Sequence, residues 1–260
     1  MNASRVVSER ENALTILRLN DASNANALTT AMKEALLAHA ADFFRDPGQR
    51  CLVITGDDRF FCAGGDLATL REGQSAPATR KRLASTCELI RMLLLGEKPV
   101  IMAVNGVAAG GGFGLAMLGD IVLASDDACF RPAFPAIGVA ADVALAWTLP
   151  RAIGTVRARQ ILLNDITIKA RQAEAIGMVS AVYAPDELMD RAREMGRKLA
   201  EGPTQALGLT KGLLHTSHDL PLDAFLNAEF AAQAVCFGSD DCREGVNAFY
   251  EKRRPAFQGL

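Results

Sequence analysis

The sequence predicts an α/β fold in which several parallel strands alternate with helices, followed by a mostly helical C-terminal part. Short apolar runs typical of buried strands alternate with helical segments over the first two thirds of the 260-residue chain. From about Val143 onward, glycine and proline separate segments with helical patterns. A chain of this length can bury a large core, because roughly three quarters of the unfolded surface is removed at this size.

The elements of the N-terminal part follow from local patterns. Residues 13–19 alternate as a strand does, and Thr29 is the predicted N-cap of a helix that runs to about Phe44. The segment 46–48, Asp-Pro-Gly, ends this helix. We further predict strands at 51–55, 100–104 and 121–124, a loop at 56–65, a break at 73–77, and helices that begin at Asp66, span 78–95 and span 113–118.

The C-terminal part contains four predicted helices, at about 186–200, 203–217, 221–237 and 240–252. They carry apolar stripes and mixed charge, which is typical of helices that pack around a core or between subunits. We therefore divide the chain into an α/β core over residues 1–200 and a helical oligomerisation region over residues 201–260.

Charge and cysteine usage exclude several classes of function. The chain has 28 Lys and Arg against 30 Asp and Glu, so a net charge of −2 gives no reason to expect a nucleic-acid or membrane partner. The six cysteines form no Cys-x-x-Cys pair and lie far from the three histidines, so we expect reduced thiols and no metal site. The first ten residues are polar, without the apolar core of a signal peptide, so we expect a cytoplasmic protein.

The uncharged stretch 99–119 is long enough to cross a membrane, but its composition argues against this. Six of its residues are glycine and Asn105 lies in the middle, so we predict a buried strand, a glycine loop and a buried helix. The glycine spacing does not fit a dinucleotide fingerprint, because the third glycine counted from Gly110 would be Leu115. Two interpretations stay open: close packing of helix on strand, or backbone amides that bind an oxyanion.

Two further segments carry candidate chemistry. Small residues before Asp66 lead from a strand into a helix start, so Asp66 is either a plain N-cap or part of a second set of ligand-binding amides. Asp142 is the only charged residue between Pro132 and Pro150. It is either the N-cap of a helix over 143–149 or a general base in an apolar pocket.

In order and spacing, these segments resemble the crotonase superfamily of enoyl-CoA hydratases and isomerases, over nearly the whole chain. The matching residues are Leu19-Asn20, Asn26-Ala27-Leu28, Phe61-Cys62-Ala63-Gly64-Gly65-Asp66-Leu67, Lys98-Pro99-Val100, Asn105-Gly106, Ala109-Gly110-Gly111-Gly112, Leu115-Ala116, Asp120, Phe249, Glu251-Lys252-Arg253 and Pro255-Ala256-Phe257. The resemblance implies a spiral of ββα units with a helical trimerisation region. It also implies an acyl-CoA substrate, no cofactor beyond the coenzyme A that the substrate carries, and a homotrimer or dimer of trimers.

The resemblance assigns roles to individual residues. The amides of Gly65 and Gly111 would hold the thioester oxygen. The coenzyme A site would be formed by Asn24, Ala27, Ala63, Gly65, Asp66 and Leu67. The family's opening carries basic residues near positions 24 and 25, where this chain has Asn-Ala, so contacts to the CoA phosphates are expected to be weaker or to come from elsewhere.

The carboxylates distinguish branches of the family. The two positions at which a hydratase carries glutamate hold Gly114 and Phe134, whereas Asp142, ahead of residues 149–151 (Leu-Pro-Arg), matches the acid of the isomerase branch. The resemblance therefore implies an enoyl-CoA isomerase with Asp142 as its base, in a substrate pocket formed by Gly114, Phe134, Val139 and Trp147. Two alternatives stay open: a hydratase or another crotonase reaction, such as isomerisation of a dienoyl or ring-derived acyl-CoA, and a non-catalytic acyl-CoA-binding protein.

Overall fold

The computed structural model describes residues 5–57, 59–72 and 75–259. The strands are β1 (Val6–Glu11), β2 (Leu14–Leu19), β3 (Cys51–Thr55), β4 (Phe60–Cys62), β5 (Val100–Val104), β6 (Val107–Ala109), β7 (Ile121–Ser125), β8 (Cys129–Arg131), β9 (Ile168–Lys169) and β10 (Ala181–Tyr183). The helices are α1 (Thr30–Arg45), α2 (Leu67–Glu72), α3 (Ala76–Leu95), α4 (Gly111–Ala116), α5 (Leu145–Ile153), α6 (Thr155–Leu163), α7 (Ala170–Ala175), α8 (Leu188–Ala200), α9 (Thr204–Thr216), α10 (Leu222–Gly238) and α11 (Asp240–Glu251).

The strands form two sheets, of orders β1-β2-β3-β5-β7-β10 and β4-β6-β8-β9. Apart from the antiparallel pairs β1–β2 and β8–β9, neighbouring strands are parallel. Each turn of the chain therefore places one strand in the larger sheet and the next in the smaller sheet, and then adds a helix. This arrangement confirms the predicted ββα units.

The larger sheet is covered on both faces, which explains why β3 and β5 are apolar at nearly every position. Alternate residues of β3 enter different cores: Leu52 and Ile54 pack in the main core, whereas Val53 packs beneath α8. Helix α1 begins as predicted, since the Thr29 hydroxyl accepts a hydrogen bond from the amide of Met32 at 3.1 Å.

The smaller sheet was not predicted. Its strands β4, β6 and β8 are three residues long, too short for an alternating pattern, and β4 and β6 lie in segments that the sequence analysis assigned to loops. The stretch 99–119 forms the predicted strand β5 and helix α4, and β6 lies between them where a glycine loop was predicted. Of the predicted break at 73–77, residues 73 and 74 lie outside the described part of the chain. In that described part, no helix combines the length and hydrophobicity that crossing a bilayer requires.

The last helices leave apolar side chains in solvent. Helix α10 packs on α9 and α11, yet Ala232 is its only buried residue in the isolated chain. Its exposed apolar side chains are Leu222, Leu226, Phe230, Val235 and Phe237.

Candidate active site

The first part of the site is the segment that follows β4. The amide of Leu28 donates to the carbonyl of Gly64 at 2.7 Å, and Leu28 and Gly65 form a parallel bridge. In such a bridge the residues flanking Gly65 make the hydrogen bonds, so the N–H of Gly65 itself points away from Leu28. A β-carbon added to Gly65 would meet no atom within 4 Å. Gly65 therefore borders open space on the side where a side chain would stand.

Asn26 fixes the neighbouring segment. It is fully buried in a left-handed conformation (φ 54°), and its Nδ2 donates to the carbonyl of Phe60 at 3.0 Å while its Oδ1 accepts from the amide of Asp21 at 2.7 Å. The amide of Ala63 donates to the carbonyl of Ala25 at 3.0 Å. The structure thus brings the predicted CoA-site segments 24–27 and 63–67 side by side.

Asp66 caps α2. Its Oδ1 accepts a hydrogen bond from the amide of Ala68 at 3.1 Å, in the first turn of α2. The neighbouring Leu67 is 59% exposed, which leaves its side chain available to a ligand.

The start of α4 lies against the same segment. A β-carbon on Gly64, whose φ is +93°, would lie 2.5 Å from the carbonyl oxygen of Ala109 and 3.0 Å from the amide nitrogen of Gly111. Gly111 is the first residue of α4, so its amide has no partner within the helix. The structure therefore places the amides of Gly65 and Gly111 at adjoining points of two touching loops.

The glycine cluster also serves close packing. A β-carbon on Gly112 would lie 2.0 Å from the carbonyl oxygen of Cys62, so no other residue fits there. The packing interpretation therefore holds at Gly112, and the oxyanion interpretation stays a prediction for Gly111.

Asp142 reaches this point from a distant part of the chain. A β-carbon on Gly111 would lie 3.3 Å from Oδ1 of Asp142 and 3.2 Å from Cδ1 of Leu28. Asp142 does not cap α5, which begins only at Leu145 with Ala144 in the cap position and no side-chain cap hydrogen bond. Asp142 is exposed in the isolated chain, so the expected apolar enclosure is not provided by this chain alone.

Cys62 lies near this carboxylate and was not singled out by the sequence analysis. Burial raises the pKa of its thiol to about 12, and the charge of Asp142 adds to the rise. Cys62 is therefore a neutral neighbour of the carboxylate and not a second acid.

Gly114 does not line the substrate pocket, which corrects the prediction. A β-carbon there would lie 2.7 Å from Cβ of Val143, 2.9 Å from the carbonyl oxygen of Val143 and 3.0 Å from that of Asp142. The turn at 142–143 covers Gly114 completely, and the space that a glutamate side chain would need is filled by main chain.

The other predicted pocket residues separate. Phe134 is 5% exposed and packs in the main core, whereas Val139 is 44% exposed within the apolar segment 135–140 that precedes Asp142. Trp147 is a further correction. Its ring stacks under Arg151, with 3.6 Å from Cζ to the ring centre, and lies 4.7 Å from the ring of His215.

Trp147 lines a different cavity of about 750 Å³, between α5 and α9. Among the described residues, the lining of this cavity includes Asp120 and Lys211 but neither Gly111 nor Asp142. Nζ of Lys211 lies 2.9 Å from Oδ2 of Asp120, which also accepts from the amide of Val100 at 2.8 Å. This pair joins α9 to the sheet, and the sequence analysis did not find it.

The arrangement suits one type of chemistry. Two neighbouring backbone amides can stabilise a negative oxygen, and a nearby carboxylate can accept and return a proton.

Comparisons with known proteins agree with this chemistry. The family model described as "Enoyl-CoA hydratase/isomerase" matches residues 9–259. The chain is 38% identical to the 1,2-epoxyphenylacetyl-CoA isomerase of Escherichia coli, over 98% of each chain, and 34% identical to the crotonyl-CoA hydratase of Syntrophomonas wolfei, over 99% of each. The crystal structure of an enoyl-CoA hydratase from Bacillus anthracis superposes with a TM-score of 0.93 at 27% identity, covering 98% of this chain and 100% of that one.

Proposed function

Since the chain belongs to the enoyl-CoA hydratase/isomerase family, we propose that it is an isomerase that moves a double bond within an enoyl-CoA thioester. The observation that carries the proposal is the approach of the Asp142 carboxylate to Gly111, together with the filled space at Gly114. The first supplies an acid beside the oxyanion amides. The second removes the position from which a glutamate would activate water.

The proposed reaction uses one carboxylate twice. Asp142 accepts the proton from C2 of a 3-enoyl-CoA, and the electrons of the broken C–H bond move into the thioester carbonyl. The resulting enolate oxygen is stabilised by the amides of Gly65 and Gly111. The acid formed on Asp142 then protonates C4, the C2=C3 double bond forms, and Asp142 is again a carboxylate.

The same proposal assigns the remaining surfaces. Asn24, Ala27, Ala63, Asp66 and Leu67 contact coenzyme A, and no cofactor beyond the coenzyme A of the substrate takes part. Val139 adjoins the acyl group, whereas Phe134 supports the site from the main core. The acyl group lies against the exposed apolar segment 135–140 and so shields Asp142 from water.

We further propose a homotrimer or a dimer of trimers as the assembly, with a second copy of the chain covering α10. The exposed apolar side chains of that helix support this proposal, because monomeric proteins rarely leave such a surface in water. Sedimentation velocity measures the assembly, and a monomer at micromolar concentration contradicts it.

A second candidate is the rearrangement of a ring-derived acyl-CoA. It is favoured by the 38% identical relative named 1,2-epoxyphenylacetyl-CoA isomerase. Such a reaction would use the same oxyanion amides and the same base, so the two candidates differ in the acyl group and not in the residues.

The test is incubation with 2-enoyl-, 3-enoyl- and ring-derived acyl-CoA esters in deuterated water, followed by mass spectrometry and ultraviolet absorbance. We expect conjugation of the 3-enoyl ester with deuterium at the reacting carbons. Asp142→Asn should lower turnover by about 10²–10⁴-fold, the range for loss of a general base, while binding of a saturated acyl-CoA persists.

The exposed Asp186, between β10 and α8, gives a matched control, and Asp186→Asn should act as the wild type. Hydration of crotonyl-CoA without isomerisation contradicts the proposal. Ester binding with no proton exchange at C2 favours a non-catalytic protein instead.

A further inference from the structure

We propose that Gly114 is a positioning residue for Asp142: because it carries no side chain, the turn formed by Asp142 and Val143 rests on α4 and holds the carboxylate beside Gly111. The inference rests on the proposed role of Asp142 as the base. It adds a residue that touches no substrate and acts only through another.

Two glycines on one face of α4 meet the same turn. Gly111 and Gly114 are three residues apart and so lie on the same side of the helix. A β-carbon on Gly111 would approach the side chains of Asp142 and Val143 at 3.3 and 3.1 Å. A β-carbon on Gly114 would lie within 3.0 Å of both carbonyl oxygens of the turn. A side chain at 114 therefore has to displace main chain, not the movable end of a side chain.

The turn adopts a conformation that its own sequence disfavours. Val143 and Ala144 have φ values of 49° and 57°, in the left-handed region that residues with a β-carbon rarely occupy, and a β-branched valine occupies it least of all. Such a conformation persists only where the surrounding packing enforces it. Here Val143 is 6% exposed against α4, and the amide of Leu145 donates to the carbonyl of Asp142 at 3.0 Å. The contact with α4 therefore sets the position of the carboxylate.

The same geometry makes two acids mutually exclusive. A glutamate at position 114 needs the volume that the 142–143 turn occupies. Gly114→Glu should therefore displace Asp142, and it should lower isomerisation without producing hydration of crotonyl-CoA. Hydration by this variant at a rate near that of isomerisation by the wild type overturns the inference.

The main experiment compares Gly114→Ala with Gly212→Ala, a glycine of α9 whose added β-carbon would meet no atom within 4 Å. The assays are kcat and KM for 3-enoyl-CoA isomerisation, the dissociation constant for butyryl-CoA, and thermal unfolding. Because a displacement of about 1 Å can cost about 10²-fold in rate, we expect that loss in kcat for Gly114→Ala with unchanged butyryl-CoA binding. Gly212→Ala should match the wild type.

A second substitution separates positioning from general damage. Val143→Gly removes the β-carbon in contact with position 114 and accepts a positive φ without strain. In the Gly114→Ala background it removes the shortest of the three contacts, at 2.7 Å, and frees the turn to move off the other two, so it should raise kcat toward that of the Val143→Gly single variant. A folded Gly114→Ala with wild-type kcat overturns the inference, and so does a loss that Val143→Gly leaves unchanged.

If Gly114→Ala does not fold, the Val143→Gly variant tests the inference. Because this substitution frees the turn at 142–143, it should lower kcat while butyryl-CoA binding persists. An unchanged kcat overturns the inference. Failure of the proposed function is distinguishable. In that case the wild type isomerises no ester, or Asp142→Asn retains its turnover. If both behave as proposed and only Gly114→Ala is silent, the positioning role alone is wrong.

Discussion

Replacing Lys211 by methionine removes a buried ammonium group and keeps most of the side-chain length. Nζ of Lys211 lies 2.9 Å from Oδ2 of Asp120 and donates to the carbonyl of Leu93 at 2.8 Å. The lysine side chain is 10% exposed and the aspartate side chain 29%. In the variant, the carboxylate keeps the hydrogen bond from the amide of Val100 but loses the ammonium group, and the carbonyls of Leu93 and Lys98 lose this donor.

The size of the effect follows from this burial. Removing one partner of a buried pair costs about 3–5 kcal/mol in unfolding free energy, and we expect about 3 kcal/mol because water still reaches Asp120. Burial raises the pKa of Asp120 and lowers that of Lys211, so desolvation opposes the charge of both groups. The double variant Asp120→Asn/Lys211→Met should therefore lose less than Lys211→Met alone.

The assay is urea unfolding at one fixed protein concentration, because assembly contributes to apparent stability. The turnover of the folded Lys211→Met protein should stay near that of the wild type, since the pair lines a cavity away from Asp142. A loss below about 1 kcal/mol, the value of an exposed pair, refutes the reasoning. A double variant as unstable as Lys211→Met also refutes it.

Three further predictions test the site and the surface. Gly65→Ala should fold normally, because its β-carbon would enter open space. It should nevertheless lose turnover by up to about 10²-fold, because the new methyl group obstructs the proposed oxyanion amide. Full turnover contradicts the proposed role of Gly65. Gly112→Ala should instead lose about 3 kcal/mol of stability, because its β-carbon would overlap the carbonyl of Cys62; a normal urea midpoint contradicts the packing. The hydrogen bond from Arg197 lowers the pKa of Glu11. At a pH above the ordinary pKa of glutamate this contact therefore stabilises the fold, and the stabilisation is lost as the pH falls through the lowered pKa of the folded protein. When the pH is lowered from neutral to about 3, the urea midpoint should therefore fall less in Glu11→Gln than in the wild type. Equal falls in the two proteins contradict this link between the Glu11 contact and stability.

Long apolar runs made much of the fold predictable. Strands β3 and β5 were predicted at their observed bounds because strands buried on both faces are continuously apolar. The Thr29 cap was predictable because capping depends on neighbouring residues. Three-residue strands such as β4 and β6 have no such local signal, since their positions are set by pairing with distant segments.

The site was also predictable only where its features have a local signal in the sequence. Sequence could show that position 114 lacks a carboxylate, but not that main chain from residues 142–143 fills the space, because that contact joins segments far apart in the chain. The direction of the Trp147 ring was likewise undetermined, since it depends on where α5 begins and on the position of α9. The cation–carboxylate pair that fixes α9 gave no local signal at all, because Asp120 and Lys211 are ordinary charged residues in sequence.

The carboxylate at position 142 and the absence of a glutamate at position 114 therefore share one structural cause. A turn that carries a carboxylate to Gly111 can rest on α4 only if position 114 has no side chain, and a glutamate at 114 can be housed only if that turn moves away. Under the proposed function, the presence of Asp142 as the base and the absence of a glutamate at 114 are thus coupled through a shared volume. It follows that neither Gly114→Glu nor loss of the Asp142 carboxylate should by itself convert an isomerase into a hydratase. With Gly114→Glu, the turn at 142–143 leaves no room for the new acid, and without Asp142 the site has no acid at all.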